Sequence, residues 1–222
     1  MNTHSSHFLR RSLAVAMIAT APLLARADGL QSLEGFAKTV QSARATFTQA
    51  VTSPTREGQA PRVKNTSGSF EFQRPGRFRF VYNKPFEQTI VADGQTLWLY
   101  DVDLNQVSSR PQAEALGSTP AALVASAPDL KALQGSFSLK SEPARDGQQW
   151  VLATPKDAGG QIKSVRVGLR EGTRGPELAT LDILDSFGQR SVISFTGFEA
   201  NPALPASTFQ FKPPAGADVL KP

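Results

Sequence analysis

Apolar and polar residues alternate with a period of two along most of the chain from Ala45 onward. Successive side chains of a β-strand point to opposite faces, so this alternation predicts strands with one buried and one solvated face. Gly, Pro, Asn and Asp residues separate the alternating runs at short intervals, as tight turns between neighbouring strands require. The pattern therefore predicts about ten or eleven short strands in an antiparallel sandwich or barrel.

Two segments show helical spacing instead. From Leu30 to about Ala43, apolar residues recur on one helical face. From Thr119 to Ala127, a threonine stands at the N-cap position and a proline at the first helical position, which favours a helix start. A further turn is expected over residues 129–133, because Pro128 ends the preceding helix. The stretch from Ser53 to Ser67, with its prolines, glycine and mixed charges, is expected to be a long exposed loop.

The apolar face of the predicted sheet is rich in phenylalanine, and all but one of the 14 phenylalanines lie beyond residue 27. Residues 97–100, Leu-Trp-Leu-Tyr, are apolar on both faces, which predicts a strand covered on both sides. One interpretation of this composition is a filled sandwich core. The other is a cavity roofed by the helices, because sheets of about ten or more strands tend to curl and leave interior space.

The first 27 residues have the features of a secretory signal peptide. Arg10 and Arg11 precede an apolar run from Leu13 to Ala25, and the run ends in an A-x-A cleavage motif at residues 25–27. Cleavage after this motif would leave Asp28 at the mature N-terminus. The sequence therefore predicts export, with residues 28–222 forming a single mature domain.

A membrane anchor is the alternative interpretation of the same N-terminal segment. The apolar run of about thirteen residues is interrupted by Pro22 and is too short to span about 30 Å of hydrocarbon. Asp28 rather than a cysteine follows the expected cleavage site, so export would leave no lipid anchor. We therefore expect the mature protein to be soluble in the periplasm or outside the cell.

The formal net charge of +5 does not indicate nucleic-acid binding. Three of the 24 basic residues lie in the expected signal peptide, and the remainder nearly balance the 19 acidic residues. The mature chain has no focused basic run of the kind that nucleic acids attract. Because the chain has no cysteine, packing alone must hold the fold together in an oxidising compartment.

Residue types exclude most hydrolytic and redox chemistry. The chain has no cysteine, and its only two histidines, His4 and His7, lie in the expected signal peptide. These absences exclude a Ser-His-Asp triad, a Cys-His pair and a zinc site with His or Cys ligands. No lysine follows a serine at the spacing of a serine–lysine site. We therefore expect neither an enzyme nor a bound cofactor or metal.

Carboxylates are the chemistry that remains. Residues 101–105 begin like a calcium-binding loop, but Gln106 and Gln112 stand where such a loop requires Gly and Glu. A turn between strands is the better interpretation of this segment. A carboxylate-based hydrolase using Asp93, Asp101 or Asp103 stays open as the least favoured reading, since their spatial separation does not follow from the sequence.

An ordered set of motifs resembles one known family. The run from Gly68 to Phe80 contains an Arg-Pro-Gly step at residues 74–76, and residues 97–101 read Leu-Trp-Leu-Tyr-Asp. Further matches are Phe-Thr-Gln at 47–49, Pro85, Gln-Thr-Ile-Val-Ala-Asp-Gly at 88–94, Thr-Pro at 119–120 and Phe-Gln-Phe-Lys-Pro-Pro at 209–214. This set, which spans nearly the whole mature chain, closely resembles the outer-membrane lipoprotein carrier protein family, LolA.

The resemblance implies a mainly β fold, an incomplete antiparallel β-barrel of about eleven strands with a lid of short α-helices over a hydrophobic cavity. It further implies a periplasmic carrier that accepts acylated lipoproteins from an inner-membrane ABC transporter and delivers them to an outer-membrane receptor. No cofactor and no catalysis are implied, and we expect a monomer. The runner-up is a sensor or regulator of the same fold that binds lipids or lipoproteins.

The resemblance also implies roles for particular residues. Arg74 matches an arginine that holds the lid shut in the empty protein, and by position its partners would be backbone groups near Ala37 and Val124. Phe80 stands where the family often carries tryptophan. The residues expected to line the acyl-chain cavity are Phe47, Phe72, Phe78, Phe80, Tyr82, Leu97, Leu99, Leu123 and Val124.

Overall fold

The computed structural model describes residues 28–54, 60–83, 85–115, 129–157 and 159–220. The expected signal peptide and the helix expected from Thr119 to Ala127, with the candidate cavity residues Leu123 and Val124, lie outside the described residues. None of the described helices is long and apolar enough to cross a membrane.

The described chain consists mainly of strands. In order, its elements are α1 (Gly29–Thr39), β1 (Ser42–Thr52), β2 (Val63–Gln73), β3 (Arg77–Tyr82), β4 (Gln88–Asp93), β5 (Thr96–Asp101), β6 (Gln106–Pro111), α2 (Gln112–Ala115), α3 (Leu130–Ser136), β7 (Phe137–Arg145), β8 (Gln148–Pro155), β9 (Ile162–Gly172), β10 (Gly175–Asp185), β11 (Arg190–Ala200), a 3-10 helix (Ala206–Phe209) and β12 (Asp218–Leu220).

All of these strands form one twelve-stranded sheet, in the order β12-β6-β5-β4-β3-β2-β1-β11-β10-β9-β8-β7. The two end strands, β12 and β7, do not pair with each other, so the barrel is unclosed. This confirms the predicted fold, with one strand more than the expected eleven. The additional strand, β12, lies parallel to β6, whereas every other pair is antiparallel.

Two local predictions need correction. Helix α1 ends at Thr39 rather than near Ala43, because Val40 adopts an extended backbone and β1 already begins at Ser42. The expected loop from Ser53 to Ser67 is shorter, because β2 begins at Val63 and pairs with β1 along its whole length. The helical turn expected over residues 129–133 is confirmed and continues to Ser136 as α3, which Asp129 caps by accepting a hydrogen bond from the amide of Ala132.

The sheet has two faces with different coverings. We call the face that packs against α1 the inner face and the opposite one the outer face. A single hydrophobic cluster joins inner-face residues of β1–β5 to those of β7–β10, so the sheet curls around its own core. Helix α1 lies against this core with Leu33, Phe36, Ala37 and Val40 buried.

The C-terminal segment covers the outer face of β3–β5. Phe209 is buried there, and Phe211 packs its ring centroid 5.6 Å from that of Trp98 and 6.2 Å from that of Tyr100. This cover explains why residues 97–100 are apolar on both faces: Leu97 and Leu99 belong to the inner face, and Trp98 and Tyr100 to the covered outer face. The C-terminal segment is therefore the second cover that the sequence of this strand predicted.

Candidate functional site

Aromatic side chains form a continuous patch on the inner face of β1, β2 and β3. Directly paired residues of antiparallel strands share a face. The register pairs Phe72 with Phe78, Phe70 with Phe80, and Gly68 with both Phe47 and Tyr82. We call this set the aromatic cluster; its members are Phe47, Phe70, Phe72, Phe78, Phe80 and Tyr82.

Phe80 is the centre of the aromatic cluster. Its ring centroid lies 4.4 Å from that of Phe70 and 5.4 Å from that of Phe47. Phe78 and Tyr82 lie further out, with centroids at 6.3 Å and 6.2 Å from Phe80. Aromatic pairs in this distance range add about 0.5–1.5 kcal/mol each beyond the burial of their surface. The cluster is therefore a strongly cohesive part of the core.

A glycine makes room for this packing. A Cβ atom at Gly68 would collide with the carbonyl oxygen of Val81 and lie 2.9 Å from the ring of Phe47. Because Gly68 has no side chain, the Phe47 ring can lie over β2 and reach Phe80 and Tyr82 on β3.

All the candidate cavity residues within the described chain lie on this one face. Leu97 continues the row of Phe72 and Phe78 through Ala92, and Leu99 continues the row of Phe80 through Ile90. Phe70, which is fully buried, was not among the candidates although it lies in the same alternating run as Phe72. Phe195 of β11 was also missed; its ring centroid lies 5.4 Å from that of Phe70.

The described aromatic rings pack against one another instead of surrounding an open volume. Phe70, Phe72 and Phe78 have no exposed surface, and Phe80 retains 4%. The interior of the described structure is therefore filled by the protein's own rings, which cover one another. An apolar ligand could enter this region only by displacing some of these contacts.

Arg74 lies between α1 and the edge of the aromatic cluster. Its Nε donates a hydrogen bond of 2.9 Å to the carbonyl oxygen of Val40 at the end of α1. Its guanidinium carbon lies 5.6 Å from the ring centroid of Phe36 on α1 and 5.5 Å from that of Phe72 on β2. The side chain thus bridges the helix and the sheet. The observed partner lies three residues beyond Ala37, and the other expected partner, Val124, is outside the described residues.

Burial lowers the pKa of the Arg74 guanidinium. The residue is 8% exposed, and desolvation lowers the pKa of its guanidinium from its ordinary value to about 10. The group still carries its charge at neutral pH, where its contacts with the Val40 carbonyl and two ring faces offset part of the lost hydration.

Asn201 holds the same end of α1 from the other side. Its Oδ1 accepts a hydrogen bond of 2.7 Å from the amide of Gln41, and its Nδ2 donates one of 2.8 Å to the carbonyl of Thr39. Its backbone φ of 56° is in the left-handed region that asparagine tolerates better than most residues. No sequence motif pointed to this contact, because it joins positions 160 residues apart.

The inner face changes from mainly apolar to mainly polar along β1 to β5, although Val51 at the polar end of β1 is apolar. At one end of these strands lie Ala43, Phe72, Phe78, Ala92 and Leu97; at the other end the same face carries Gln49, Thr66, Tyr82, Gln88 and Asp101. The polar residues line an open cavity of about 300 Å³, which also includes Val51, Lys64, Phe86, Glu87 and Asp103. We call this cavity the rim pocket.

Tyr82 joins the aromatic cluster to the rim pocket. Its ring centroid lies 5.1 Å from that of Phe47, and burial raises the pKa of its hydroxyl from 10.0 to about 12. The hydroxyl is therefore protonated at every physiological pH and can donate a hydrogen bond.

We expect this pKa to be visible in a spectrophotometric titration, because the chain has only two tyrosines. Absorbance at the tyrosinate wavelength should show one ionisation with its midpoint near pH 12, and Tyr82→Phe should remove it. Between about pH 10 and pH 12 the folded state still holds the Tyr82 proton that the unfolded state has lost. The free energy of unfolding therefore falls as the pH rises through this range. A wild-type titration identical to that of Tyr82→Phe above pH 11 would contradict the assignment.

Two of the carboxylates considered for hydrolysis, Asp93 and Asp101, accept hydrogen bonds in turns. Burial alone would raise the pKa of the Asp93 carboxyl, but hydrogen bonds from the amides of Thr96 and Gln95 and from the Trp98 indole hold that pKa below its usual value. A general acid would need the opposite shift. Asp101 accepts a hydrogen bond from the amide of Leu104 in the predicted turn. In the described part of the chain, no cluster of His, Cys, Asp or Glu could hold a metal ion.

Comparison with known proteins places the chain beside lipoprotein carriers. A family model described as outer membrane lipoprotein carrier protein LolA matches residues 38–212. A protein of Albidiferax ferrireducens named outer-membrane lipoprotein carrier protein is 66% identical over 208 residues, which cover 94% of this chain and 98% of that protein. A protein of the same name from Leptothrix cholodnii is 53% identical over 197 residues, covering 89% and 87% respectively.

The fold also has a counterpart among solved structures. An uncharacterized conserved protein from Thermus thermophilus superimposes with a TM-score of 0.50 at 13% identity, covering 87% of this chain and 97% of that one. At this level of identity the likeness concerns the fold alone.

Proposed function

The chain belongs to the outer-membrane lipoprotein carrier family, LolA, and from this premise we propose that it takes lipoproteins from an inner-membrane ABC transporter and delivers them to an outer-membrane receptor. Its carrier function and its lipoprotein cargo follow from its relatives at up to 66% identity. The family is one of carriers and not of known enzymes. The place of transfer is the periplasm, reached by a leader that ends at residue 27, with residues 28–222 as one monomeric carrier domain.

The need for a carrier follows from the cargo. Each methylene of an acyl chain prefers an apolar site to water by about 0.8 kcal/mol. A lipoprotein with about 45 methylenes in its acyl chains therefore meets a barrier on the order of tens of kcal/mol in free solution. A protein that shields these chains removes most of this barrier, but it must also release them, so the empty state has to compete with the filled one.

The aromatic cluster supports the inner face as the acyl-chain site. It is the largest group of buried aromatic rings in the described residues, and α1 covers it at the end near Phe36 and Phe72. Acyl chains replace these ring contacts when α1 moves away from the sheet. The closed core then serves as the empty state with which cargo competes, and this competition keeps binding reversible.

Arg74 acts as the latch of this lid. Its bond to the Val40 carbonyl and its contact with Phe36 require α1 to lie on the sheet, whereas its contact with Phe72 is with β2 itself. A hydrogen bond to a charged group contributes about 1.5–3 kcal/mol, which biases the lid toward closure without locking it.

Native mass spectrometry tests the carrier function directly. The full chain, expressed with its own leader in a Gram-negative host, is purified from the periplasmic fraction without detergent. We expect a mature chain that begins at Asp28, with a fraction carrying the mass of a triacylated lipoprotein. Blocking the inner-membrane transporter should abolish the loaded fraction. A protein that stays empty while the transporter is active would contradict the proposal.

A further inference from the structure

The rim pocket lies directly beside the aromatic cluster on the same face of the sheet. Tyr82 belongs to both, and Gln49 and Thr66 pair with each other in the next inner-face row beyond Phe47 and Gly68. A ligand lying along the strands would therefore contact aromatic rings at one end and polar side chains at the other. Such an order matches an amphiphile whose hydrocarbon ends in a polar linkage.

The hydroxyl of Thr66 is available to form a hydrogen bond with a ligand. Its Oγ1 is buried, and none of the described residues offers it a hydrogen-bond partner. An unsatisfied buried hydroxyl destabilises the folded state, so the empty protein loses stability by retaining one. A ligand atom that accepts a hydrogen bond at this position would recover that loss.

Other groups of the pocket can donate as well. Tyr82 has a phenolic hydroxyl, Gln88 on the paired position of β4 has an amide, and the Nζ of Lys64 lies 3.3 Å from the ring centroid of Phe86. Glu87, Asp101 and Asp103 complete the wall of the pocket. These three carboxylates disfavour an anionic group such as a phosphate, whereas an uncharged acceptor meets no such repulsion.

We propose that the rim pocket binds the ester carbonyl groups through which acyl chains of the cargo are joined to its N-terminal cysteine. These carbonyls are uncharged acceptors, and they occur where the hydrocarbon ends. Thr66 is the principal donor, because its hydroxyl is the buried hydroxyl of the pocket to which none of the described residues offers a partner. This inference rests on the carrier function proposed above and names the polar half of the same site.

Two synthetic lipopeptides separate the role of the carbonyls from that of the hydrocarbon. One is a tripalmitoyl-cysteine peptide with two ester-linked chains and one amide-linked chain; the other has the same chains with both esters replaced by ethers. Affinities are measured by competition with a fluorescent fatty acid. We expect wild type to prefer the ester form, and Thr66→Val to weaken ester binding by about three- to tenfold while leaving ether binding unchanged.

Three controls make the result specific. Thr66→Ser keeps a hydroxyl and should keep the preference for esters. Thr48→Val removes a threonine hydroxyl from the outer face of β1 and should change neither affinity. Thr66→Val should leave the melting temperature of the empty protein unchanged or higher, because it removes an unsatisfied hydroxyl.

The possible failures are distinguishable. If wild type binds neither lipopeptide, the carrier function itself fails. If wild type binds both equally, or if Thr66→Val weakens both to the same extent, the carrier function stands and the carbonyl site is wrong. A lower melting temperature of Thr66→Val would also count against the inference, since it would show that the hydroxyl already has a partner.

Discussion

Replacing Arg74 with leucine should shift the lid of the empty protein toward its open form by roughly ten- to a hundredfold, the equivalent of one hydrogen bond to a charged group. The leucine removes the bond to the Val40 carbonyl and both cation–π contacts, while Asn201 still holds Thr39 and Gln41. Cargo then meets less competition from the closed state. We expect lipoproteins to be taken up but retained, with transfer to the receptor reduced by a similar factor.

A transfer assay with purified components measures both steps of this prediction. Loaded carrier is incubated with receptor, and the lipoprotein remaining on the carrier is followed with time. Arg79→Leu is the matched control, because it removes an arginine side chain from the outer face of β3, away from α1. Unaltered transfer by Arg74→Leu, or an equal defect in Arg79→Leu, would exclude the latch.

Truncating Phe80 to alanine should destabilise the empty protein by about 3–5 kcal/mol and yet strengthen acyl-chain binding. The destabilisation follows from the ring contacts of Phe80 with Phe47, Phe70, Phe78 and Tyr82. The rise in affinity follows from linkage: if acyl chains displace these contacts, the empty state loses more from the truncation than the filled state does. We expect a several-fold lower dissociation constant, measured with the ester lipopeptide.

Phe209→Ala provides the matched control for this second prediction. Phe209 is as deeply buried as the rings of the aromatic cluster, but it packs on the outer face of the sheet. Its truncation should lower the free energy of unfolding by a comparable amount without changing acyl-chain affinity. Weaker binding by Phe80→Ala, or a parallel change in Phe209→Ala, would show that cargo does not replace the aromatic cluster.

The order of polarity along the strands gives the two halves of the proposed site different roles. The aromatic cluster contributes cohesion to the empty state, whereas the rim pocket holds a hydroxyl that the empty state leaves unsatisfied. Cargo would therefore gain a hydrogen bond in the rim pocket, and this gain would offset part of the free energy needed to displace the ring contacts of the aromatic cluster. Release at the receptor needs only a small change in this balance, because closure restores both the ring contacts and the bond of Arg74.

Several features of the fold could be predicted from local pattern. The alternation of apolar and polar residues identified most strands, and the resemblance to the LolA family, which the comparisons confirm, supplied the unclosed barrel. The helix boundary near Ala43 and the start of β2 were wrong, because β1 and β2 pair along eleven residues each and extend strand structure beyond what local signals indicate. Such pairing is a property of two segments and not of either one.

The amino-acid sequence by itself determined which side chains of one strand of the site share a face. The side-chain period of a strand is two whatever its partners, so Phe78, Phe80 and Tyr82 had to share a face. Only the tertiary structure decided what lies against that face. The pairing of β1 with β11, the Val40 carbonyl as partner of Arg74 and the unpartnered hydroxyl of Thr66 depend on contacts between distant segments, whose free energies are settled by the packing of the whole sheet.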